Sequence, residues 1–456
     1  MRLFGAVAVA GALLGSGAAA GDAQTLARKP VHLGVASCAG GNCHGAVLPA
    51  KGSSVRQDEY LIWWQESNPA RVDKHHRAYT VLLGKRARRI ARNLGLADAA
   101  TAPLCLNCHA DNVPPDRRGP LFRLADGVGC EACHGGAGPS GPSRAGWLGV
   151  HLSGAGHQAN LDAGLRRTED PAERAKLCLR CHFGDPADDQ RFVTHRIMGA
   201  GHPRMPFELD TFTLAEPAHF VVTKRYLARK GPLSDARVWA VGQAASLVAR
   251  MDALMNPKRT PKGVIPELAL FDCQACHHDV TVLRWRNRAS NALGPGRPRL
   301  YDADAVMLEV IAARLAPDLA RQLRAHVLAL HRATTENWDA VVREAAILRG
   351  LAQSLETTLA RADFSRADLS ALANGLLAAG RDGEANAYSG AEQATMGLGA
   401  IAANMQMAGL LGAAQVQRLN AALAGLDGIL ADDQAYRPDA FVKALDAVQQ
   451  ALPARR

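Results

Sequence analysis

The chain has 456 residues, 48% hydrophobic and 21% charged, with 10 cysteines, 16 histidines and a formal net charge of +10. A chain of that length buries its own core without covalent staples, which argues against a small disulfide scaffold. Its pI near 9.3 would ordinarily raise nucleic acid or anionic lipid as partners, unless the surplus cations are already matched within the molecule.

At the N-terminus Met1-Arg2 precedes an apolar, small-residue run from Leu3 to about Leu14 that ends in Gly15-Ser16-Gly17-Ala18-Ala19-Ala20. This is the pattern of a signal peptide, residues 1–20, with cleavage after Ala20 and Ala23 as the alternative. The run is short for a membrane span, and no later stretch reads as one. An exported, periplasmic protein is expected.

From there to residue 278 every cysteine belongs to a pair followed at once by histidine: Cys38/Cys43/His44, Cys105/Cys108/His109, Cys130/Cys133/His134, Cys178/Cys181/His182 and Cys273/Cys276/His277. This is the haem-attachment pattern, five times over. Two thiols add across the vinyl groups of a haem, and the adjacent imidazole becomes an axial ligand of the iron. Zinc fails as a rival because its ribbons use pairs of pairs, which five units cannot fill, and because zinc requires no histidine after each second cysteine. A disulfide framework leaves five histidines without a role. The first site holds four residues between its thiols where the others hold two, and Gly40 and Gly41 are expected to let the insert loop outward through positive φ. Five covalently attached haem c groups (iron) are the implied cofactors. Their propionates and ferric centres, with Arg2 lost in the leader, bring the charge to about +4 oxidised and about −1 reduced. No nucleic-acid partner is therefore expected. The run Lys85-Arg86-Ala87-Arg88-Arg89 remains as a docking face or an ordinary solvated helix face.

Between the attachment sites the chain is rich in Gly and Pro, with short helices expected at 57–66, at 74–94 and around each site. Haem plates are expected to substitute for a side-chain core there. Second axial ligands come from the remaining histidines. His32, six residues before Cys38, can reach a neighbouring haem. His75 and His76 point about 100° apart on a helix, so one of them is a ligand. His151, behind Trp147-Leu148-Gly149-Val150, is favoured over His157 in its Ser-Gly-Ala-Gly loop. His195 and His202 bracket Met198-Gly199-Ala200-Gly201 on a haem-facing loop. His219 serves equally as a core or propionate contact, and His278 is held in reserve.

After Gly294-Pro295-Gly296-Arg297-Pro298 the cysteines stop and apolar residues step by three or four: Leu319, Leu323, Val327 and Leu330; Trp338, Val341, Ala345, Leu348, Leu351, Leu355 and Leu359; Leu419, Leu423, Leu426 and Leu430; Phe441, Leu445, Val448 and Leu452. Pro317 and Pro438 sit where helices begin. These stripes predict an antiparallel bundle of four to six helices, ordinary core rather than cofactor box. The whole is mainly α: a pentahaem region over 32–300 with short helices, then a helical bundle domain over 301–456.

Several segments resemble the multihaem c-type cytochromes related to the tetrahaem cytochrome c-554 type electron carriers. They are His32-Leu-Gly-Val-Ala-Ser-Cys38, Asp73-Lys-His75-His-Arg-Ala-Tyr79, Gly127-Val-Gly-Cys130-Glu-Ala-Cys133-His134-Gly, Met198-Gly-Ala-Gly-His202-Pro-Arg and Leu270-Phe-Asp-Cys273-Gln-Ala-Cys276-His277-His278. The resemblance covers somewhat over half the chain and departs from the family in its fifth haem and its helical C-terminal part. It implies His75 rather than His76 as a ligand, a multihaem cytochrome c fold, and electron transfer between other redox proteins, in a mode compatible with peripheral association with a membrane-bound redox complex. The competing class is a multihaem oxidoreductase with one open haem acting on a small nitrogen or sulfur compound. Against it, no Cys-x-x-Cys-Lys site is present and no attachment motif has lost its histidine; for it, the resemblance implies that one haem can lack a strong distal ligand, so a carrier is expected with the enzyme kept as the alternative.

Overall fold

A computed structural model describes residues 29–64, 73–139, 145–259, 266–278 and 288–453; the signal peptide expected at 1–20 lies outside them. The fold is mainly α. Among the described residues there are eighteen α-helices and no strand, and extended backbone pairs only at isolated bridges such as His32 with Arg118 and Phe271 with Leu300.

Beyond residue 300 lie seven helices: Ala303–Leu315, Pro317–Ala333, Trp338–Leu359, Arg366–Arg381, Tyr388–Met407, Ala413–Ile429 and Pro438–Ala451. Pro317 and Pro438 occupy first-turn positions, where a missing N–H costs no intrahelical bond. The stripes face inward: Leu323, Val341, Ala345, Leu348, Leu355, Leu359, Leu426, Phe441 and Val448 are all fully buried. Most consecutive helices pack on one another through short connections, the arrangement that makes neighbours antiparallel. The count exceeds the four to six expected because Tyr388–Met407 is buried on nearly all sides, so it carries no stripe for a periodicity reading to find.

The same apolar core continues across residue 300. Helix Asp235–Met255 contributes Trp239, Ala240, Val241, Ala244, Leu247, Met251 and Leu254 to it, and a Cβ on Gly397 would lie 2.7 Å from Trp239 Cζ2. Nearby, Arg288 is locked between two carboxylates: its guanidinium donates to both oxygens of Asp302 (3.0 and 3.1 Å) and from Nε to Glu384 (2.8 Å), with all three side chains buried. Breaking such a pair by removing one partner costs about 3–5 kcal/mol.

The region before residue 235 is packed differently. Its side-chain cores are small: Leu82, Ala87, Ala91, Ala99, Ala100, Leu106 and Ala110 form one, and a second is built around Ala175, Leu179, Phe207 and Leu209.

Candidate haem centres

Four of the five attachment motifs lie within or at the end of a short helical element. Helix Pro103–His109 opens on a first-turn proline. Pro171–His182 opens on Asp170, whose carboxylate accepts from Ala172 N (2.9 Å) and Glu173 N (3.1 Å), satisfying donors the helix itself cannot. Cys130–His134 forms one helical turn, and Asp272 caps the turn at Cys273–Ala275 by accepting from Gln274 N (3.1 Å). In the long-spaced first motif neither Gly40 nor Gly41 has positive φ, unlike the sequence expectation. The extra residues are absorbed by a turn in which Cys43 N donates to Gly40 O (2.8 Å) and His44 N to Cys38 O (3.1 Å). The glycine the turn requires is Gly45, where a Cβ would lie 2.0 Å from Ala39 O. All ten cysteines lie among the described residues, and no two of them are joined as a disulfide.

Four motif histidines face a second imidazole. The ring centroids are 6.3 Å apart for His44 and His151, 6.3 Å for His182 and His75, 6.4 Å for His109 and His202, and 6.1 Å for His277 and His195. Two imidazoles on opposite sides of one metal ion require about 6.2 Å, from a metal–nitrogen bond of roughly 2.0 Å and roughly 1.1 Å from nitrogen to ring centre on each side. The residues present thus fit an iron held between each pair.

The rings are aimed from behind. Nδ1 donates to the Ala78 carbonyl in His109 (2.9 Å) and to the Pro203 carbonyl in His202 (2.8 Å); it lies 3.0 Å from Glu59 Oε2 in His44 and 3.0 Å from Asp73 Oδ1 in His75. Fixing Nδ1 in this way leaves Nε2 as the metal-facing nitrogen and sets the ring plane. Burial holds His182 down to about 4, so the imidazole is neutral and able to ligate. The elements carrying the partner histidines are equally constrained. Asp73 accepts from His75 N (2.9 Å). Gly146, at φ +62°, starts the helix bearing His151 so close to the preceding loop that a Cβ would lie 2.2 Å from Gly138 O. His195 N donates to Glu267 Oε1 (2.7 Å). The bundle steadies the fifth motif: Gln274 donates to Asp433 O (2.6 Å) and accepts from Tyr388 N (3.1 Å), while Arg204 forms a bidentate pair with Glu392.

His134 stands apart. Burial pushes it down to about 4. All sixteen histidines lie among the described residues, and none faces His134 at the separation seen in the four pairs. His32 is brought to a different place: 5% exposed, its Nδ1 is 2.6 Å from Asp111 Oδ2 and its ring lies over Gly136, where a Cβ would be 2.6 Å from Cδ2. His76 is wedged against Trp63 and Trp64, with Nδ1 donating to Asp73 O. His219 Nε2 is 3.5 Å from Asp73 Oδ2, His157 joins Glu169 and Lys230 at the surface, and His278 is exposed.

Sequence reasoning missed Glu131, inside the third motif. Its buried carboxylate accepts three main-chain bonds, from Leu33 N (2.8 Å), Gly34 N (2.7 Å) and Ala137 N (2.7 Å), fastening the N-terminal segment to the attachment turn. A glutamate between two cysteines of a motif, followed by Gly-Gly, was the available signal.

The motifs also lie close to each other. Cys38 lies beside Cys130 and Cys181 beside Cys108, each pair near enough for one sulfur to influence the other, and Cys181 Sγ is 4.0 Å from Asn107 O within the second motif. Cys133 is pushed up by burial and also feels the charges of Cys178 and Cys181.

Residues 62–135, which include His75 and the second and third motifs, match the family model described as cytochrome c554 and c-prime. No curated protein and no solved structure matches the chain. The match supports a c-type cytochrome, the class that carries covalently bound haem c, and an electron carrier of that kind.

Proposed function

We propose that this chain is a periplasmic electron carrier with five haem c groups, passing electrons between other redox proteins. The observation that carries the reading is the set of four facing imidazole pairs at 6.1–6.4 Å. Each bound iron would supply a one-electron ferric/ferrous couple. The chain's own part is to hold both axial positions with rings already oriented, so that little moves when the charge changes, and to keep the centres close. The closeness of Cys38 to Cys130 supports the first site lying beside the third, and that of Cys181 to Cys108 and Asn107 supports the second lying beside the fourth. Cys133 with Cys178 and Cys181 puts the third beside the fourth, and the single segment carrying both His195 and His202 joins the second to the fifth. These contacts support an order in space of first, third, fourth, second, fifth. The leader at 1–20 supports export, and no helix of the described residues is long and apolar enough to cross a membrane.

Intact mass tests the cofactor number: mass for five haems is expected, and mass for four with Cys38 and Cys43 open to alkylation refutes the first site. Paramagnetic resonance of the oxidised protein tests the ligation, with four low-spin ferric signals expected from the four pairs. A second reading, an oxidoreductase acting on a small nitrogen or sulfur compound, is favoured by one observation, the absence of an imidazole facing His134. Under that reading one haem per chain binds carbon monoxide stoichiometrically and the protein turns over hydroxylamine, nitrite or a sulfur oxyanion. Carbon monoxide binding without turnover leaves the carrier reading standing.

A further inference from the structure

Helix Lys85–Leu94 contains no acidic residue, and its inner stripe, Ala87 and Ala91, is buried. Lys85, Arg86, Arg88, Arg89 and Arg92 all point to solvent, and among the described residues none of them forms an ion pair with a carboxylate. Five cations within eight positions, unrelieved, repel one another, so the face is held at a cost that folding alone does not require. The helix is fastened to a particular place. Arg86 donates from Nε and Nη2 to Gly201 O (3.0 and 2.8 Å), Asn93 donates to Ala200 O (3.0 Å), and the exposed Arg196 donates to Leu94 O (3.2 Å). A Cβ on Gly201 would be 3.4 Å from Ile90 Cγ1. The basic face is thereby bolted to the segment 195–202, whose two ends carry His195, facing His277, and His202, facing His109.

We propose that this face, formed by Lys85, Arg86, Arg88, Arg89, Arg92 and Arg196, is the docking surface for an acidic one-electron redox protein that exchanges electrons at the second and fifth sites. The proposal rests on the carrier reading and adds where the partner binds and what charge it bears. A negatively charged partner is drawn to six cations on one face and settles against the segment holding an axial ligand of each site. In each encounter the partner loses one electron and one ferric centre becomes ferrous; no bond is made or broken. A lipid surface is the less favoured occupant, because the outward face from Lys85 to Asn93 offers no large apolar side chain to enter a bilayer, as an interfacial helix requires.

The test compares the intact holoprotein with the variant Lys85→Gln/Arg89→Gln/Arg92→Gln, using photoreduced flavodoxin as the acidic donor and free reduced flavin as a small one. Electrostatic steering of this kind raises association rates by about 10- to 1,000-fold and fades with salt. The wild-type rate with flavodoxin should fall steeply from about 10 mM to 0.5 M salt. The variant should be slower by about tenfold or more at low salt and converge with the wild type at high salt, while both are reduced equally by free flavin. Equal flavodoxin rates for the two proteins at low salt overturn the docking surface while reduction by flavin leaves the carrier reading intact; failure of both donors to reduce the protein overturns the carrier reading. Loss of binding to phosphatidylglycerol vesicles with an unchanged flavodoxin rate overturns the proposal in favour of lipid. Altered haem content or altered low-spin signals in the variant also overturn it, since the cations would then be holding the cofactor.

Discussion

Glu131 gives the sharpest test of how the third motif is held. Its Oε1 accepts from Leu33 N and Ala137 N and its Oε2 from Gly34 N, and the residue is 3% exposed. Hydrogen bonds to a charged group contribute about 1.5–3 kcal/mol each, and a donor left buried and unpaired costs about 1–3 kcal/mol. Three bonds to one side chain are not additive and the loops relax, so Glu131→Ala should destabilise the local structure by about 3–5 kcal/mol. At about 1.4 kcal/mol per factor of ten that is a rise of roughly 100- to 4,000-fold in amide hydrogen exchange at Leu33, Gly34 and Ala137. Glu131→Gln separates the two oxygens. Keeping its carbonyl where Oε1 lies retains two bonds and turns an NH2 toward Gly34 N, so exchange should rise mainly at Gly34. Unchanged exchange at all three amides in Glu131→Ala, or a uniform rise in Glu131→Gln, would falsify the account of the carboxylate as a three-point clamp.

Replacing His75 by Ala should convert one low-spin haem to high-spin, because its ring faces His182, whereas His76→Ala should leave the resonance spectrum unchanged while loosening the contacts with Trp63 and Trp64; the reverse pattern refutes the pairing. Truncation after Arg299 should yield a protein in which helix Asp235–Met255 is rapidly cut by protease, since Trp239 and its neighbours lose the core they are buried in; a protease-resistant fragment with an intact helix would show that the haem region stands alone. Asp210 is pushed up to about 9 by burial, with Asp235 and Glu208 adding like charge. The folded protein therefore holds a proton that the unfolded chain releases near pH 4, and this contribution to stability is lost as pH rises toward 9. Asp210→Asn should gain stability relative to wild type with increasing pH in that window, by at most about 1.4 kcal/mol per unit; a difference independent of pH between 5 and 8 refutes it.

The attachment motifs were legible because covalent chemistry forces thiols and imidazole onto adjacent positions, whatever the rest of the chain does. The partner histidines were partly legible: His151 and His202 stand beside glycines or apolar residues that mark a packed approach, but which ring meets which motif is decided by contacts between residues up to about a hundred positions apart, such as His44 with His151 and His75 with His182. The boundary near residue 300 was read from the end of the cysteines and the start of leucine stripes. Helix Asp235–Met255 escaped that reading because alanines and a glycine bury it on several faces at once, leaving neither a stripe nor a polar side to announce that it belongs to the bundle core.

Counting histidines suggested enough ligands for every iron, yet supply is not placement. His32 was available and is buried, but Asp111 and the Gly135-Gly136 turn fix its ring beside the third motif instead of opposite His134. The same constraint gives the third site its character. Glu131 clamps the segment that carries His32, so moving that ring into an axial position would require breaking the bonds from Leu33 and Gly34 first. On the proposed reading four centres are closed by paired imidazoles and the third has no imidazole opposite His134, a contrast that spectroscopy can read directly: removing the clamp with Glu131→Ala frees His32 to move, and conversion of a high-spin signal to low-spin in that variant would show that the clamp, and not a shortage of ligands, keeps the third site open.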